Sequence, residues 1–390
     1  MLPVIVWVLM GTCQELARGH SSPEGGQSLG SQDWKRSRRM GDVLATTLGE
    51  APGFMTDVPR RQPTLDEVAE RAGVSRSAAS RVLNNAPHVS PAKRAAVLRA
   101  IRELDYVPNT TARALATRQR GAVALVISGE APSIFADPFF AKVIVGASGA
   151  LEGADLHLML CLAASERSRR RLAELLRARG VDGAMFMAVR ENDPVLHLAR
   201  EAEVPVVFGG RPAGFDPPWY VDVDNAGGAR QATEHLLARG RRRVGMICGL
   251  PDTEASRARH RGYREAMILA GLRPLPPEYG DFTEPSGAAA MAMLLNRQPE
   301  LDGVFAANDN MAVGALRTLR GSGRAVPTDV AVVGFDDLDI ARIAEPSLTT
   351  VHQPIEALGN EMARMLAGLI AGEDPSSLIL PTHLVARSST

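Results

Sequence analysis

Several apolar runs in the second half of the sequence are followed at once by polar, charged or aromatic residues whose types suit a small hydroxylated ligand. Carboxylate and amide oxygens accept hydrogen bonds from neighbouring hydroxyl groups, an arginine donates them, and an aromatic ring covers a C–H face. Ligands of open α/β sheets bind beyond the carboxyl ends of the strands, so such residues would meet in one cleft. The candidate ligand-binding residues are Asp137, Phe139, Phe140, Arg211, Arg259, Asn308 and Asp336.

Other roles are open for some residues in these positions. Glu191 also follows an apolar run, while Asp309 and Asp337 could instead cap the helices that come next. Phe140 could equally belong to the core. Arg259 has the fewest alternatives, because an arginine positioned in a cleft has few purely structural uses.

The paired acids of GFDD, residues 334–337, would also suit a metal site or acid–base catalysis. However, no histidine or cysteine stands at ligand spacing from them, no G-x-S-x-G motif is present, and no G-x-G-x-x-G follows the first predicted strand. Cys13, Cys161 and Cys248 lack paired spacing and are interpreted as reduced thiols. We therefore expect no enzymatic activity, no cofactor and no metal site.

A second set of polar residues lies on one side of a short predicted helix. This side consists of Arg76, Ser77, Ser80, Arg81 and Asn84. Such groups reach base edges and phosphates when a helix lies in the DNA major groove. The other side offers only Ala79, Val82 and Leu83 to a core. An ordinary solvated surface is the alternative, which the basic surroundings disfavour.

Local signals place that helix in the middle of a three-helix unit. Thr64 and Glu67 match a capping box that opens the first helix, and Gly73 can end it with a positive φ. Ser75 caps the second helix, and Ser90 followed by proline opens the third. The predicted apolar face of the third helix contains Val97, Leu98, Ile101 and Leu104. Two short helices joined by a tight turn containing glycine are typical of a helix-turn-helix.

After Gly121 the sequence alternates between apolar runs and segments with helical spacing. The runs predict strands at 123–129, 156–162, 183–189, 204–210, 243–249, 303–309 and 330–337. Helical segments such as 229–239 and 311–321 fall between them. This alternation predicts parallel sheets with helices on both faces. The length of the region favours two doubly wound lobes with a cleft between them.

Charge divides the chain in the same way, although the formal net charge of its 390 residues is zero. Residues 59–120 contain 12 Lys and Arg against 5 Asp and Glu, whereas residues 121–390 contain 27 against 33. A basic module indicates a polyanionic partner.

Residues 1–58 lack periodicity. We expect them to be a disordered extension, or one not translated in the cell, with Met40 or Met55 as the physiological start. No basic residue precedes the apolar N-terminus, which disfavours a secretory signal, and no apolar run has the length of a membrane span.

The segment TLDEVAERAGVSRSAASRVLNNAPHVSPAKRAAVLRAIRELDYVPNTTARALAT resembles the DNA-binding and hinge segment of the LacI/GalR family of bacterial transcription regulators. The resemblance continues through VPVVFGGR, VDVDNAGGARQATEHLLARGRRRVG, AANDNMAVGALRTL, VPTDVAVVGFDD and PSLTTVHQP, so it covers nearly all of residues 64–390. It implies an N-terminal all-α helix-turn-helix domain followed by an α/β effector domain of two doubly wound lobes, like that of periplasmic binding proteins.

The resemblance also implies roles in DNA binding. Arg76 and Ser77 would read bases, whereas Ser75, Ser80 and Arg81 would hold phosphates or adjacent bases. Tyr106, Pro108 and Asn109 match the start of the hinge, and Ala112 and Leu115 match residues that pack against a dimer mate and wedge into the minor groove. Leu115 could also be an ordinary linker residue. The implied DNA-binding residues are Thr64, Ser75, Arg76, Ser77, Ser80, Arg81, Asn84, Asn109, Ala112 and Leu115.

The chain departs from the family pattern at two positions. The family usually has Thr and Val where this sequence has Ala78 and Ala79, so a phosphate-binding hydroxyl and some core methyl groups are missing. The loss of two buried methyl groups would cost about 1–2 kcal/mol.

For the second domain the resemblance implies that Arg259, Asn308 and Asp336 contact an effector, usually a sugar or a purine. The predicted domains are an extension at 1–58, a helix-turn-helix domain at 59–107, a hinge at 108–120 and a ligand-binding and dimerisation domain at 121–390. We expect a cytoplasmic, nucleoid-associated homodimer that acts as a repressor and binds operator DNA under the control of a small polar effector, a sugar or sugar derivative. The alternatives are a secreted sugar-binding protein and a sugar-modifying enzyme, which the basic module and the missing catalytic motifs disfavour.

Overall fold

A computed structural model describes residues 63–83, 89–106, 120–129 and 131–390. Its first compact unit consists of α1 (Leu65–Ala72), α2 (Arg76–Leu83) and α3 (Pro91–Leu104). These helices bury a small core of Val68, Ala69, Ala79, Val82, Val97, Ala100 and Tyr106. Ala79 and Val82 are the buried residues of α2, so this helix keeps its remaining surface polar. The predicted helix-turn-helix is confirmed.

The capping signals act as the sequence predicts. The backbone N–H of Glu67 donates to Thr64 Oγ1 at 3.3 Å, and the Glu67 carboxylate accepts from the Thr64 N–H at 2.6 Å. Gly73 ends α1 with φ of 63°, a left-handed conformation that glycine adopts without steric cost.

Removal of the Thr64 hydroxyl should therefore destabilise this unit. We expect Thr64→Ala to lower the free energy of unfolding of the helix-turn-helix by about 1 kcal/mol, because a cap is lost. Hydrogen exchange of the amides of α1 measures the effect. Thr64→Ser keeps the hydroxyl and is the control; equal losses in both variants would contradict a role in capping.

The apolar face predicted for α3 is wrong at one position. Leu98 is 43% exposed, and Ala100 occupies the core instead. Val97, Ile101 and Leu104 repeat at the spacing of one helical stripe, while Leu98 lies at the edge of that stripe. Tyr106, placed by the resemblance at the start of the hinge, packs into the same core.

The second unit is an α/β domain. In chain order its elements are β1 (Ala122–Ile127), α4 (Ala131–Ala136), α5 (Pro138–Glu152), β2 (His157–Leu162), α6 (Glu166–Arg177), β3 (Gly183–Met187), α7 (Val195–Arg200), β4 (Val206–Gly209), β5 (Tyr220–Val223), α8 (Asn225–Ala238), β6 (Val244–Cys248), α9 (Glu254–Leu269), β7 (Glu278–Tyr279), α10 (Glu284–Arg297), β8 (Gly303–Ala306), α11 (Asp309–Gly321), β9 (Ala331–Asp336), α12 (Asp339–Ile343), β10 (Thr349–His352), α13 (Ile355–Ile370), β11 (Leu378–Leu380) and β12 (His383–Val385).

These strands form two six-stranded sheets. The order β11-β5-β4-β3-β1-β2 is wholly parallel and defines the N-terminal lobe, which also contains α4 to α7 and α13. The order β12-β10-β9-β8-β6-β7 defines the C-terminal lobe with α8 to α12, and there only β12 runs antiparallel to its neighbour. The predicted pair of doubly wound lobes is confirmed.

The chain passes between the lobes three times, from β5 to α8, from β10 to α13 and from β11 to β12. The crossing segments lie together, because the Asp224 N–H donates to Leu380 O at 2.9 Å and Thr382 Oγ1 donates to Asp224 O at 3.2 Å. The three crossings thus form a three-stranded connection between the lobes. They also place the carboxyl ends of both sheets beside the junction.

Cys161 and Cys248 are free, buried thiols, as the sequence indicates. Burial raises the pKa of Cys161 to about 11 and that of Cys248 to about 12. Within the residues that the structure describes, no helix is both long enough and apolar enough to cross a membrane.

Candidate functional site

The centre of the candidate ligand site is Arg259 on α9, which is only 5% exposed. Its Nε donates to Asn225 Oδ1 at 2.8 Å, and its Nη1 donates to the backbone oxygen of Ala307. The guanidinium carbon also lies 3.7 Å from the ring centroid of Phe335. Burial lowers the pKa of Arg259, and nearby carboxylates led by that of Asp336 oppose the decrease.

Asp336 faces this arginine at the end of β9. Its Oδ1 lies 3.7 Å from Arg259 Nη1 and accepts a hydrogen bond from Gln353 Nε2. Burial raises the pKa of Asp336 well above its ordinary value, and Arg259 opposes the rise. A hydroxyl donor at this carboxylate would favour its ionised form, so the pair is suited to a polyhydroxylated ligand.

The backbone around Asp336 is unusual. Asp336 has φ of 111° and Asp337 has φ of 58°, so two consecutive non-glycine residues are left-handed. Each such residue costs about 1–3 kcal/mol, and such strain gathers at functional sites. Asp337 is held in place by Arg387, which donates to its Oδ1, and by His352 Nδ1 at 3.1 Å from its Oδ2. Asp337 therefore does not cap a helix, which was one role left open for it.

The helix cap that the sequence allowed for Asp309 is made by Asn308 instead. Asn308 caps α11, because its Oδ1 accepts from the Met311 N–H at 2.9 Å while its Nδ2 donates to Phe282 O at 2.9 Å. One amide N–H of Asn308 remains for a ligand. Asp309 makes no cap. Its carboxylate lies in the core, where burial raises its pKa to about 7.

The N-terminal lobe contributes Asp137 and two phenylalanines. Asp137 caps α5 by accepting from the Phe139 N–H at 3.1 Å, and its carboxylate also has a hydrogen bond with Asn310 of the C-terminal lobe. Phe139 and Phe140 pack edge to face, with ring centroids 5.3 Å apart, and both border the core of their lobe. A core role for Phe140, which the sequence left open, is therefore supported.

Arg211 lies apart from this buried network. Its guanidinium carbon stands 5.5 Å from the ring centroid of Tyr220, and its side chain is exposed. Arg211 is joined to the buried network by its backbone, because its N–H donates to Asp222 Oδ2 at 3.3 Å.

Asp222 and Asn225 are site residues that sequence reasoning missed. Asn225 Nδ2 donates to Asp222 Oδ1 at 3.0 Å, while Asn225 Oδ1 accepts from Arg259. Both are buried. The signal was present in VDVDNAGG, but the strand that includes its first three residues is only four residues long and contains Asp222, so it does not form an apolar run.

Ion pairs join the two lobes at the same edge. Arg257 on α9 donates to Glu191, which follows β3, and this interaction lowers the pKa of Glu191. The Glu191 N–H also donates to Asp252 O at 2.8 Å, and Arg190 Nη1 lies 3.8 Å from Asp252 Oδ2. The lobes are thus in direct contact around the predicted cleft.

The helix-turn-helix presents the polar surface that its sequence predicts. The side chains of Ser75, Arg76, Ser77 and Arg81 are exposed, and Ser80 is half-buried. Ser75 Oγ accepts from the Ala78 N–H at 3.3 Å, and Arg76 Nε lies 3.5 Å from Asp66 Oδ1. Four of the predicted DNA-binding residues, Asn84, Asn109, Ala112 and Leu115, lie outside the described residues, as does Pro108.

Comparison with known sequences matches two family profiles to separate parts of the chain. The profile for bacterial regulatory proteins of the lacI family matches residues 64–109. The profile for the periplasmic binding protein-like domain matches residues 233–390.

Two curated relatives extend these matches over most of the chain. The HTH-type transcriptional regulator CelR of Thermobifida fusca is 48% identical over 336 residues, which cover 85% of this chain and 99% of CelR. The ribose operon repressor of Escherichia coli is 35% identical over 302 residues, which cover 76% of this chain and 89% of the repressor.

Two solved structures also match most of this chain. A complex of the transcriptional regulator CelR with cellobiose has 46% identity and a TM-score of 0.67, and it covers 84% of this chain and 100% of that chain. The Lac repressor dimer bound to operator and an anti-inducer has 27% identity and a TM-score of 0.75, covering 85% and 99%. The chain therefore belongs to the LacI family of bacterial regulatory proteins, and it is a DNA-binding transcriptional regulator.

Proposed function

We propose that this regulator is a repressor whose operator affinity is controlled by a small saccharide bound between the lobes, with cellobiose as the first candidate. The observation that carries the proposal is the buried pair of Arg259 and Asp336 at the carboxyl ends of the strands, in a chain 46% identical to a regulator solved with cellobiose. The arginine and the carboxylate would donate to and accept from vicinal hydroxyls, and Phe139 would cover a sugar face.

The two lobes offer a route from ligand to DNA. A saccharide that contacts Asp137 on one lobe and Arg259 on the other binds best when the lobes stand at one distance, so it shifts the equilibrium between lobe arrangements. If operator binding favours another arrangement, each ligand lowers the affinity for the other by the same factor. A repressor released by its sugar follows from this linkage.

Calorimetric titration tests the ligand. We expect cellobiose to bind the full chain and to weaken its binding to an operator duplex selected from random-sequence DNA. Glucose, ribose and hypoxanthine serve as comparison ligands in the same titrations. Binding of hypoxanthine but not of cellobiose would contradict the saccharide proposal while leaving the family unaffected.

We also propose that two chains bind the two halves of a pseudo-palindromic operator. The solved Lac repressor dimer on its operator supports this arrangement by homology. In this proposal Ser75, Arg76, Ser77, Ser80 and Arg81 of each copy meet the major groove, while Thr64 supports the same surface through its cap. Sedimentation of the free chain and of its operator complex measures the stoichiometry.

Arg76 is expected to read a base. Its exposed guanidinium is at the start of α2, and a forked contact with guanine discriminates against other bases by about 1–3 kcal/mol. We expect Arg76→Ala to relax the preference at one position of each half-site. Selection from a random pool, followed by sequencing, measures the preference at every position.

Arg81→Ala is the matched comparison on the same helix. If Arg81 contacts phosphate, its removal weakens all sequences uniformly and lowers the slope of log affinity against log salt by about one. Identical base preferences in wild type and Arg76→Ala would contradict the proposed role of Arg76.

A further inference from the structure

The short segment after Asp336 is anchored in the cores of both lobes. Leu338 is 1% exposed and belongs to the buried cluster of the N-terminal lobe, together with Ile134 and Val143. Ile340 borders the same cluster, whereas Ala341 belongs to the cluster of the C-terminal lobe. A displacement of this segment would therefore change the side-chain packing of both cores, because packed interiors leave little free volume.

Asp309 fixes the backbone of that segment. Its Oδ2 accepts from the Leu338 N–H at 2.8 Å, and its Oδ1 accepts from Thr350 Oγ1 at 2.6 Å. The side chain is fully buried, and α11, which begins with Asp309, is part of the core of the C-terminal lobe. One carboxylate thus joins α11, β10 and the start of α12.

The same segment begins at Asp336, whose carboxylate is the proposed effector contact. Asp336 is two residues before Leu338, and both Asp336 and Asp337 are in the left-handed region. Non-glycine residues stay in this region only when their surroundings hold them there. The Asp309 bond to Leu338 is one such constraint, so Asp336 and Leu338 are expected to move together.

We propose that Leu338 transmits effector occupancy from Asp336 to the N-terminal lobe, and that Asp309 is the positioning residue that makes this transmission possible. The inference rests on the proposed function, since it requires an effector at Asp336. A ligand that shifts the Asp336 carboxylate would displace Leu338 within the cluster beneath α4 and α5. The first strand of that lobe follows directly on the segment that leads from the helix-turn-helix.

The first test needs no effector. Asp309→Ala removes both hydrogen bonds, whereas Asp309→Asn can still accept from the Leu338 N–H and donate to Thr350 Oγ1. Hydrogen exchange of the full chain should accelerate about tenfold or more in Asp309→Ala, both at residues 337–342 and at residues 134–147, and change far less in Asp309→Asn. Unchanged exchange at residues 134–147 in Asp309→Ala would overturn the proposal.

The second test separates binding from transmission. Leu338→Ala shortens the side chain that enters the N-terminal lobe, and Leu338→Met is the control of similar volume. We expect Leu338→Ala to bind cellobiose with an affinity within about threefold of wild type, while the effect of cellobiose on operator affinity falls about tenfold or more. Leu338→Met should keep the full effect. Wild-type coupling in Leu338→Ala, or a proportional loss of cellobiose binding and coupling, would overturn the proposal.

The two tests also distinguish the inference from the function on which it rests. If cellobiose fails to bind the wild type, the saccharide proposal fails, and the exchange experiment alone then decides whether Asp309 connects the two cores.

Discussion

Replacement of Arg259 by methionine should abolish the response to the effector while leaving operator binding intact. The guanidinium is buried against Asp336, Asn225 and the Phe335 ring, and methionine can replace only the last of these contacts. Asp336 would be left buried without its counter-charge, so its pKa would rise further. Breaking a buried pair costs about 3–5 kcal/mol of folding stability. The ligand also loses a hydrogen bond from a charged donor, worth about 1.5–3 kcal/mol, which corresponds to a loss of cellobiose affinity of about 10- to 100-fold.

A control for this variant lies two residues further along α9. Arg261 pairs with Glu254 at 2.8 Å, but it is largely exposed, and exposed pairs contribute little. We expect Arg261→Met to bind cellobiose and operator like the wild type. Calorimetry with cellobiose, together with operator titration at fixed salt, measures both variants. If Arg259→Met retained wild-type cellobiose affinity, the assigned cleft would be wrong.

The second large effect is expected from one added methyl group at Gly314. A Cβ at this position would lie against the backbone oxygen of Glu284 and 2.7 Å from the Ala288 nitrogen, both on α10. Backbone atoms cannot move aside as a side chain can, so α10 and α11 would have to separate. We expect Gly314→Ala to lower the free energy of unfolding by roughly 3 kcal/mol, the upper part of the usual range for overpacking.

Gly321 provides a matched control at the C-terminal end of the same helix. A Cβ at Gly321 would have no atom within 4 Å, and alanine reduces the entropy of the unfolded chain. Gly321→Ala should therefore stabilise the protein by about 0.4–1 kcal/mol. In thermal unfolding Gly314→Ala should melt about 6–12 °C below the wild type, and Gly321→Ala slightly above it. Equal melting temperatures for the two variants would contradict the close packing of α10 on α11.

The elements that the sequence predicted well are those with local signals. The capping box at Thr64, the glycine at Gly73 and the cap at Ser90 are confirmed at the helix termini. Long apolar runs such as 330–337 predicted the central strands correctly. Five strands were not predicted, namely β5, β7, β10, β11 and β12. All five are short and are recognised only through the neighbours with which they pair, and all except β11 carry polar residues.

The charged residues of the candidate site were predictable from the sequence. The hydrogen-bond partners of those residues were not. Arg259, Asp336 and Asn308 are brought to one edge of the sheets, as their positions after apolar runs indicated. The hydrogen bonds that Arg259 donates to Asn225 and to the backbone oxygen of Ala307 were not predicted. Asn225 is 34 residues away in the sequence, and its link to Arg259 exists only because the chain crosses to the second lobe immediately before α8.

By itself, the sequence determined the helix-turn-helix, the alternation of strands and helices, the division into a basic and an acidic module, and the resemblance to the LacI/GalR family. These properties depend on side chains that act on their neighbours within a few residues, through caps, turns and amphipathic spacing. Only the tertiary structure decided that Asn308 rather than Asp309 caps α11, that Asp309 joins Thr350 and Leu338, and that Leu338 enters the core of the other lobe. Three crossings between the lobes bring together residues that are distant in the sequence, and no local pattern records which distant residues will meet.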